Sequence, residues 1–181
     1  MRHNIVECED RLEEYYIKLV NATYSKMCSQ KQTLPKIVEQ IAIRGDKILD
    51  FGAGKDAFGT KYLRESGFDV TAYEIGKNFV GGIHDPNAFD WGIEWDVIFM
   101  SNVLNVQPDV PKMLDIISDV KARLKIGGML VCNFPVKPRH NDATTDFVET
   151  ALRLAFNREI QKVENFSPTW MCVKLEVKHE N

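Results

Sequence analysis

The fold can be read from the stretch Lys47-Ile-Leu-Asp-Phe-Gly-Ala-Gly-Lys55. Its apolar beginning predicts a short buried strand, after which the chain turns on Gly52 and Gly54. Residues 56–65 then have the apolar spacing of a helix. A strand, a glycine-rich turn and a helix together predict a ligand-binding loop. Glycine lets the backbone approach a ligand, and a helix N-terminus presents unpaired N–H groups.

Two cofactors fit a loop of this kind. The segment Gly52-Ala-Gly-Lys-Asp-Ala57 satisfies the dinucleotide pattern G-x-G-x-x-A, and Glu74 lies at the right distance to bind a ribose hydroxyl. The other candidate is S-adenosylmethionine, which has no phosphate and carries an ammonium and a sulfonium group. Asp50 and Asp56 favour S-adenosylmethionine, because carboxylates in a partly desolvated site repel a pyrophosphate.

Three further stretches follow the loop in order: Val70-Thr-Ala-Tyr-Glu74, then residues 96–104, then residues 124–131. Together with the loop they resemble the class I S-adenosylmethionine-dependent methyltransferases. The matching features are the D-x-G-x-G loop, the acid that closes the second strand, the D-V-I-F-x-S-N-V-L strand and the L-K-x-G-G turn. The resemblance covers about residues 47–177 and departs from the family at Asp56, where the family loop has a third glycine.

This resemblance implies an α/β fold, a three-layer α/β/α sandwich. Its sheet would be mostly parallel and seven-stranded, with a C-terminal antiparallel hairpin strand. Residues 1–45 are expected to form N-terminal helices that act as a cap or lid, with an amphipathic helix over residues 5–26. Residues 46–181 would form the cofactor-binding methyltransferase domain.

A helix is also predicted over residues 109–124, stopped by Gly127-Gly128. The side chains expected to point inward from it are Met113, Leu114, Ile117, Val120 and Leu124.

The resemblance also implies which residues bind the cofactor: Asp50, Gly52, Gly54, Glu74, Asp85, Ala88 and Ser101. Glu74 would accept hydrogen bonds from both ribose hydroxyls, since a carboxylate has two acceptor oxygens and no donor. Asp85 would accept from the adenine amine, with Ala88 and Phe89 packing against the ring. The alternative for Asp85 is an Asp-Pro turn without function.

Ser101 and Asn102 are expected beside the methyl acceptor and are the candidate catalytic residues. Enzymes that methylate the exocyclic amines of bases carry a proline pair and an aromatic residue at this point, and neither follows Ser101. Asn102 and Asn105 are suited to orient an acceptor by hydrogen bonding, although Asn105 is equally well placed to cap a helix. Lys137, Arg139 and His140 follow a strand predicted over residues 129–134. Lys137 and Arg139 are suited to bind an acidic substrate or phosphate, and His140 is suited to act as a base; the alternative is a solvated loop.

Two functions stay open on this basis. The first is methyl transfer to a small molecule, or to a nucleic acid in a phage or DNA-modification setting. The second is a non-catalytic sensor or partner subunit that binds S-adenosylmethionine. A formal net charge of −3 and a pI near 5.8 argue against a general polyanion binder.

The 181 residues indicate one domain. No apolar run has the length of a membrane span and no signal-peptide pattern is present, so a cytoplasmic protein without a membrane partner is expected. No metal site is expected either, because the cysteines and histidines lack ligand spacing. These residues are Cys8, Cys28, Cys132, Cys172, His3, His84, His140 and His179.

Overall fold

The computed structural model of the protein describes residues 33–136, 142–157, 159–163 and 168–175. The helix predicted over residues 5–26 lies outside the described residues, as do Lys137, Arg139 and His140. The helices are α1 (Thr33–Ile41), α2 (Phe58–Glu65), α3 (Val110–Arg123) and α4 (Thr145–Ala155). The strands are β1 (Lys47–Phe51), β2 (Asp69–Tyr73), β3 (Trp95–Met100), β4 (Leu124–Asn133), β5 (Ile160–Lys162) and β6 (Thr169–Val173).

The strands form one mixed sheet in the order β2-β1-β3-β4-β6-β5. Strands β1 to β4 are parallel, and β6 pairs antiparallel with both β4 and β5. The α/β sandwich with a closing antiparallel strand is therefore confirmed. The predicted strand number is wrong for the described residues, in which six strands form the sheet rather than seven.

The stretch between β2 and β3 contributes no strand to this sheet. Residues 74–94 contain a 3₁₀ helix at Gly76–Asn78 and a single isolated bridge between Gly81 and His84. The stretch is rich in residues that interrupt strands. These are Gly76, Gly81, Gly82, Pro86 and Gly92.

Among the described residues no strand pairs with the outer edge of β2, and the carbonyl groups of that edge are paired in another way. Nε of Arg64 donates to the carbonyl oxygen of Val70 at 2.8 Å. The backbone N–H of Asp85 donates to the carbonyl oxygen of Ala72 at 2.9 Å. Because these outward carbonyls are paired, the edge does not present them to another chain.

Side chains alternate between the two faces of the sheet. On β3, Ile98 and Met100 are buried in the cluster that includes residues of α3 and α4. Val97 and Phe99 are buried in the cluster on the opposite face, with residues of α1 and α2. The sheet therefore has a hydrophobic core on each side, and its polar groups collect at the strand ends.

Helix α1 is part of the second core, where Leu34, Ile37 and Val38 are buried. It therefore packs against the sheet. The division of the chain at residue 45 stays a prediction.

Helix α3 differs from its prediction at two points. It ends at Arg123, before Gly127-Gly128, because β4 begins at Leu124 and these glycines lie within that strand. Leu114 is 39% exposed, so its predicted inward position is wrong, and Ile116 is buried instead. Leu114 lies at the rim of the apolar stripe, where side-chain spacing does not decide between core and solvent.

Candidate functional site

The glycine-rich loop connects the carboxyl end of β1 to the N-terminus of α2. Gly52 and Gly54 have φ values of 74° and 69°, a left-handed conformation that favours glycine. The N–H groups of Gly52 and Ala53 both donate to the carbonyl oxygen of Tyr73, at 2.9 and 3.0 Å. The loop is therefore fixed to the end of β2, at the sheet edge where α/β proteins bind ligands.

Glu74 holds the loop through Gly54. Its Oε2 accepts from the N–H of Gly54 at 2.7 Å, and its Oε1 accepts from the N–H of Ile75 at 2.9 Å. Since each carboxylate oxygen can accept two hydrogen bonds, Glu74 is fixed in orientation and can still accept from a ligand. The carbonyl oxygen of Gly54 lies 2.9 Å from Nε2 of the buried His84.

Asp50 caps α2 from the neighbouring strand. Its Oδ2 accepts from the backbone N–H and the hydroxyl of Thr60, at 3.0 and 2.9 Å. The N-cap residue itself is Ala57, which has no side-chain acceptor, so Asp50 supplies it. Burial raises the pKa of Asp50 to about 7; the Thr60 hydrogen bonds oppose this rise, and the charge of Glu74 adds to it.

Two glycines leave room for close packing. A Cβ on Gly52 would lie 2.6 Å from Cγ2 of Val103, so the loop lies directly against the segment after β3. A Cβ on Gly59, in the first turn of α2, would lie 3.0 Å from Oδ2 of Asp50. Gly59 therefore allows close helix–strand packing, which is the role of the third glycine in dinucleotide loops.

Ser101 and Asn102 follow β3 at the same edge of the sheet. Asn102 has a φ of 59°, a left-handed conformation that asparagine adopts more readily than most residues. Its N–H donates to Oδ1 of Asn133 at 2.7 Å, and Nδ2 of Asn133 donates to Oδ1 of Asn102 at 3.3 Å. This amide pair joins the ends of β3 and β4 and fixes the backbone beside Ser101.

Asn105 lies in the 3₁₀ helix Leu104–Val106 and is 7% exposed. It does not cap α3, because Asp109 is the N-cap and accepts from the N–H of Lys112 at 2.8 Å. Its Oδ1 is a buried acceptor with no donor among the described residues. Because an unpaired buried acceptor costs about 1–3 kcal/mol, a donor on a bound molecule would lower the free energy here.

Asp85 forms the Asp-Pro turn that was one of its two predicted roles. Its Oδ1 accepts from the N–H of Asn87 at 2.9 Å, and the residue is exposed. Ala88 is buried, and its carbonyl oxygen accepts from Nε1 of Trp95 at 3.1 Å. Phe89 packs against Phe51, with ring centroids 4.6 Å apart. Phe89 also packs against Tyr73, so these residues lie next to the end of β2.

The structure thus brings most of the predicted site residues to one edge of the sheet. Gly54 is hydrogen-bonded to Glu74 and Gly52 to the neighbouring Tyr73, and Ser101 and Asn102 follow the adjacent β3. Sequence reasoning missed His84 and Asn133. Neither stands in a motif, since each is recognised only by a hydrogen bond to a residue far away in the chain.

Two further properties of the described part of the chain concern metal-ligating side chains and membrane-spanning helices. It brings no three metal-ligating side chains together. None of its helices is long and apolar enough to span a bilayer.

Three features define the class I methyltransferase fold. The sheet is mostly parallel and has an antiparallel strand near its far edge, a glycine-rich loop follows β1, and an acid directly follows β2. A family model described as a methyltransferase domain matches residues 21–168. The chain belongs to this methyltransferase family. Solved enzymes of this fold contain bound S-adenosylmethionine.

Solved structures with low sequence identity share the fold. A TehB-like methyltransferase from Corynebacterium glutamicum is 19% identical with a TM-score of 0.57, over 93% of this chain and 100% of that one. TehB from Haemophilus influenzae is 16% identical with a TM-score of 0.56, over 83% of this chain. The magnesium protoporphyrin IX methyltransferase from Synechocystis, solved with bound S-adenosylmethionine, is 15% identical with a TM-score of 0.59, over 79% of each chain.

The chain spans 64% of the length of the Haemophilus influenzae TehB chain. No match was found among curated proteins.

Proposed function

We propose that the enzyme methylates a small acceptor molecule at the carboxyl edge of the sheet, beside the glycine-rich loop. The contact between Gly52 and Val103 carries this proposal, because it puts the loop directly against the segment after β3. A cofactor on the loop and an acceptor beside Ser101 and Asn102 would therefore be neighbours. Positioning two reactants next to each other is the main contribution expected of such a site.

In this proposal the cofactor is held by Gly52, Gly54, Glu74 and Asp50. The left-handed glycines let the backbone come close to a ligand, and the fixed carboxylate of Glu74 accepts from two ribose hydroxyls. Asp50 adds a carboxyl group behind the loop, which suits a cationic ligand when it is ionised. When bound, S-adenosylmethionine supplies a methyl group already activated by the positive sulfonium.

Asp85 and Ala88 are proposed at the adenine end. The Oδ2 of Asp85 has no hydrogen bond among the described residues and would accept from the adenine amine. Because the side chain of Ala88 is buried, Ala88 would support the residues that line the adenine end of the site.

Ser101 and Asn102 are proposed to line the acceptor position. Asn133 holds the backbone of Asn102, so the groups next to it keep one orientation. Asn105 would contribute its unpaired Oδ1 as an acceptor for a hydroxyl or amine of the substrate. These groups favour a polar acceptor that is oriented by hydrogen bonds.

The same segment argues against a base in duplex DNA. Residues 101–104 contain no aromatic side chain, so a flipped base would lose stacking worth about 1–3 kcal/mol at this position. Flipping itself costs a few kcal/mol. The net charge of −3 adds no general attraction for phosphates.

The test is incubation of the purified chain with methyl-labelled S-adenosylmethionine and two kinds of acceptor. A small-molecule extract and mixed-sequence duplex DNA are compared, with Glu74→Ala as the control for a working site. We expect label in one or more small molecules and none in the DNA. Stoichiometric labelling of adenine or cytosine amino groups in the duplex would show that the proposed acceptor class is wrong.

A further inference from the structure

We propose that His84 is a positioning residue for the cofactor loop, acting through the carbonyl oxygen of Gly54. His84 lies in the stretch between β2 and β3, and it is 6% exposed. The inference rests on the proposed cofactor site and adds to it a residue that belongs to none of the sequence motifs.

The two ring nitrogens of His84 have different partners. Nδ1 lies 2.9 Å from the backbone N–H of Val80, and Nε2 lies 2.9 Å from the carbonyl oxygen of Gly54. Because Val80 donates, Nδ1 is an acceptor and carries no proton. Nε2 therefore carries the proton and donates to Gly54. Only the neutral imidazole with its proton on Nε2 satisfies both partners.

Backbone hydrogen bonds also fix the segment that carries the His84 ring. The N–H of His84 donates to the carbonyl oxygen of Val80 at 3.1 Å, so a tight turn sets the position of the imidazole. The next residue, Asp85, donates its N–H to Ala72 of β2. His84 therefore connects the edge of the sheet at β2 to the glycine-rich loop at Gly54.

Gly54 needs such support because it has no side chain to pack and has a φ of 69°. Its N–H is bound by Glu74, and its carbonyl oxygen is bound by His84 and by the N–H of Ala57 at 3.1 Å. Hydrogen bonds on both sides of one residue set its φ and ψ angles. Without the His84 hydrogen bond, only the N–H of Ala57 would bind the carbonyl oxygen of Gly54. Because Ala57 is part of the same loop, that hydrogen bond does not connect the loop to the rest of the protein.

Two substitutions separate the two hydrogen bonds of the ring. In His84→Gln the side-chain amide nitrogen can replace Nε2 as the donor to Gly54, but the Val80 N–H loses its acceptor. In His84→Asn the amide oxygen can replace Nδ1 as the acceptor from Val80, but the donor to Gly54 is lost. Each variant loses the imidazole ring and one of its two hydrogen bonds, so the two variants are matched controls for each other.

Binding of S-adenosylmethionine by calorimetry distinguishes a positioning role from a structural one. We expect His84→Asn to raise Kd about threefold to tenfold, the effect of one neutral hydrogen bond, and His84→Gln to remain within about twofold of the wild type. Amide hydrogen exchange over residues 52–57 should increase in His84→Asn and not in His84→Gln. Thermal unfolding checks that both variants fold.

Equal Kd values for the two variants, whether both changed or both unchanged, would overturn the role of His84. Glu74→Ala is measured alongside them. If Glu74→Ala weakens binding and His84→Asn does not, only the His84 inference fails. If Glu74→Ala also has no effect, the proposed cofactor site itself is wrong.

Discussion

At the scale of single residues, the two carboxyl groups beside the loop differ in their surroundings. Glu74 accepts hydrogen bonds from two backbone N–H groups at the same edge of the sheet, those of Gly54 and Ile75. Asp50 is buried behind the loop and accepts from both donors of Thr60. The first group is proposed to bind the cofactor, whereas the second accepts hydrogen bonds from the first turn of α2. Their substitutions should therefore have different effects.

Glu74→Ala is expected to weaken binding of S-adenosylmethionine by roughly 1.5–3 kcal/mol, the range for hydrogen bonds to a charged group. Glu74→Gln should lose less, because its amide oxygen still accepts one backbone N–H. Calorimetry measures both, with Glu65→Ala, an exposed acid at the end of α2, as the matched control. Unchanged affinity in Glu74→Ala would remove this residue from the site.

Asp50 is expected to make the protein less stable as the pH rises towards neutrality. Its pKa is about 7 in the folded protein against an ordinary value of 3.8, so between these values the folded chain holds a proton that the unfolded chain has released. Its contribution to the free energy of unfolding is therefore fully present below about pH 4 and falls by roughly 1.4 kcal/mol per pH unit until about pH 7.

Urea unfolding of the wild type and Asp50→Asn at a series of pH values measures this contribution. The wild-type free energy of unfolding minus that of Asp50→Asn should fall between about pH 4 and pH 7 and then level off. Asp69→Asn, at the exposed start of β2, serves as the control for removing a carboxyl group. A difference that does not vary with pH would contradict the raised pKa.

At the scale of elements, the site depends on how closely the β1–α2 loop meets the segment after β3. The contact between Gly52 and Val103 sets this distance. The amide pair of Asn102 and Asn133 then fixes the segment to the end of β4. The ends of three parallel strands are thus joined by side-chain and backbone contacts rather than by the sheet ladder alone.

Gly52→Ala is expected to reduce binding of S-adenosylmethionine and the free energy of unfolding together. The added Cβ would lie 2.6 Å from Val103 at a φ of 74°. The left-handed conformation alone costs about 1–2 kcal/mol for alanine, and the clash adds to it. The double variant Gly52→Ala with Val103→Ala should recover part of the loss, because it removes the clashing methyl group.

Gly92→Ala is the control for the left-handed conformation alone, since Gly92 has a φ of 90° and nothing within 4 Å of the added Cβ. It should lose stability without losing affinity for S-adenosylmethionine. Equal losses of affinity in Gly92→Ala and Gly52→Ala would mean that the Val103 contact has no special role.

At the scale of the whole molecule, the charge around the loop is expected to decide which nucleotide-like cofactor binds. S-adenosylmethionine should bind and NAD should not, because Asp56 and, when it is ionised, Asp50 border the β1–α2 loop and would repel a pyrophosphate bound there. Calorimetry with both compounds at moderate salt provides the measurement. Tight binding of NAD together with no binding of S-adenosylmethionine would contradict the family's cofactor for this chain.

The sequence by itself determined the β1–loop–α2 unit, the acid after β2 and the order of strands and helices that follow. These features depend on local chemistry: apolar periodicity sets the elements, and glycine is required where φ is positive. For this reason Gly52, Gly54 and Glu74 could be placed at one edge before any contact was known. The sequence also showed the departure at Asp56, but it did not show that Gly59, inside the predicted helix, lies close to Asp50.

Only the tertiary structure decided which distant groups meet at that edge. The partners of Gly54, Asn102 and Asp50 are His84, Asn133 and Thr60, and none of these pairs leaves a periodic pattern in the chain. The pairing of the outer edge of β2 is of the same kind, since the Arg64 side chain and the Asp85 backbone reach that edge only once the chain is folded. Local propensity selects the elements, whereas hydrogen bonds between residues far apart in sequence depend on how those elements pack.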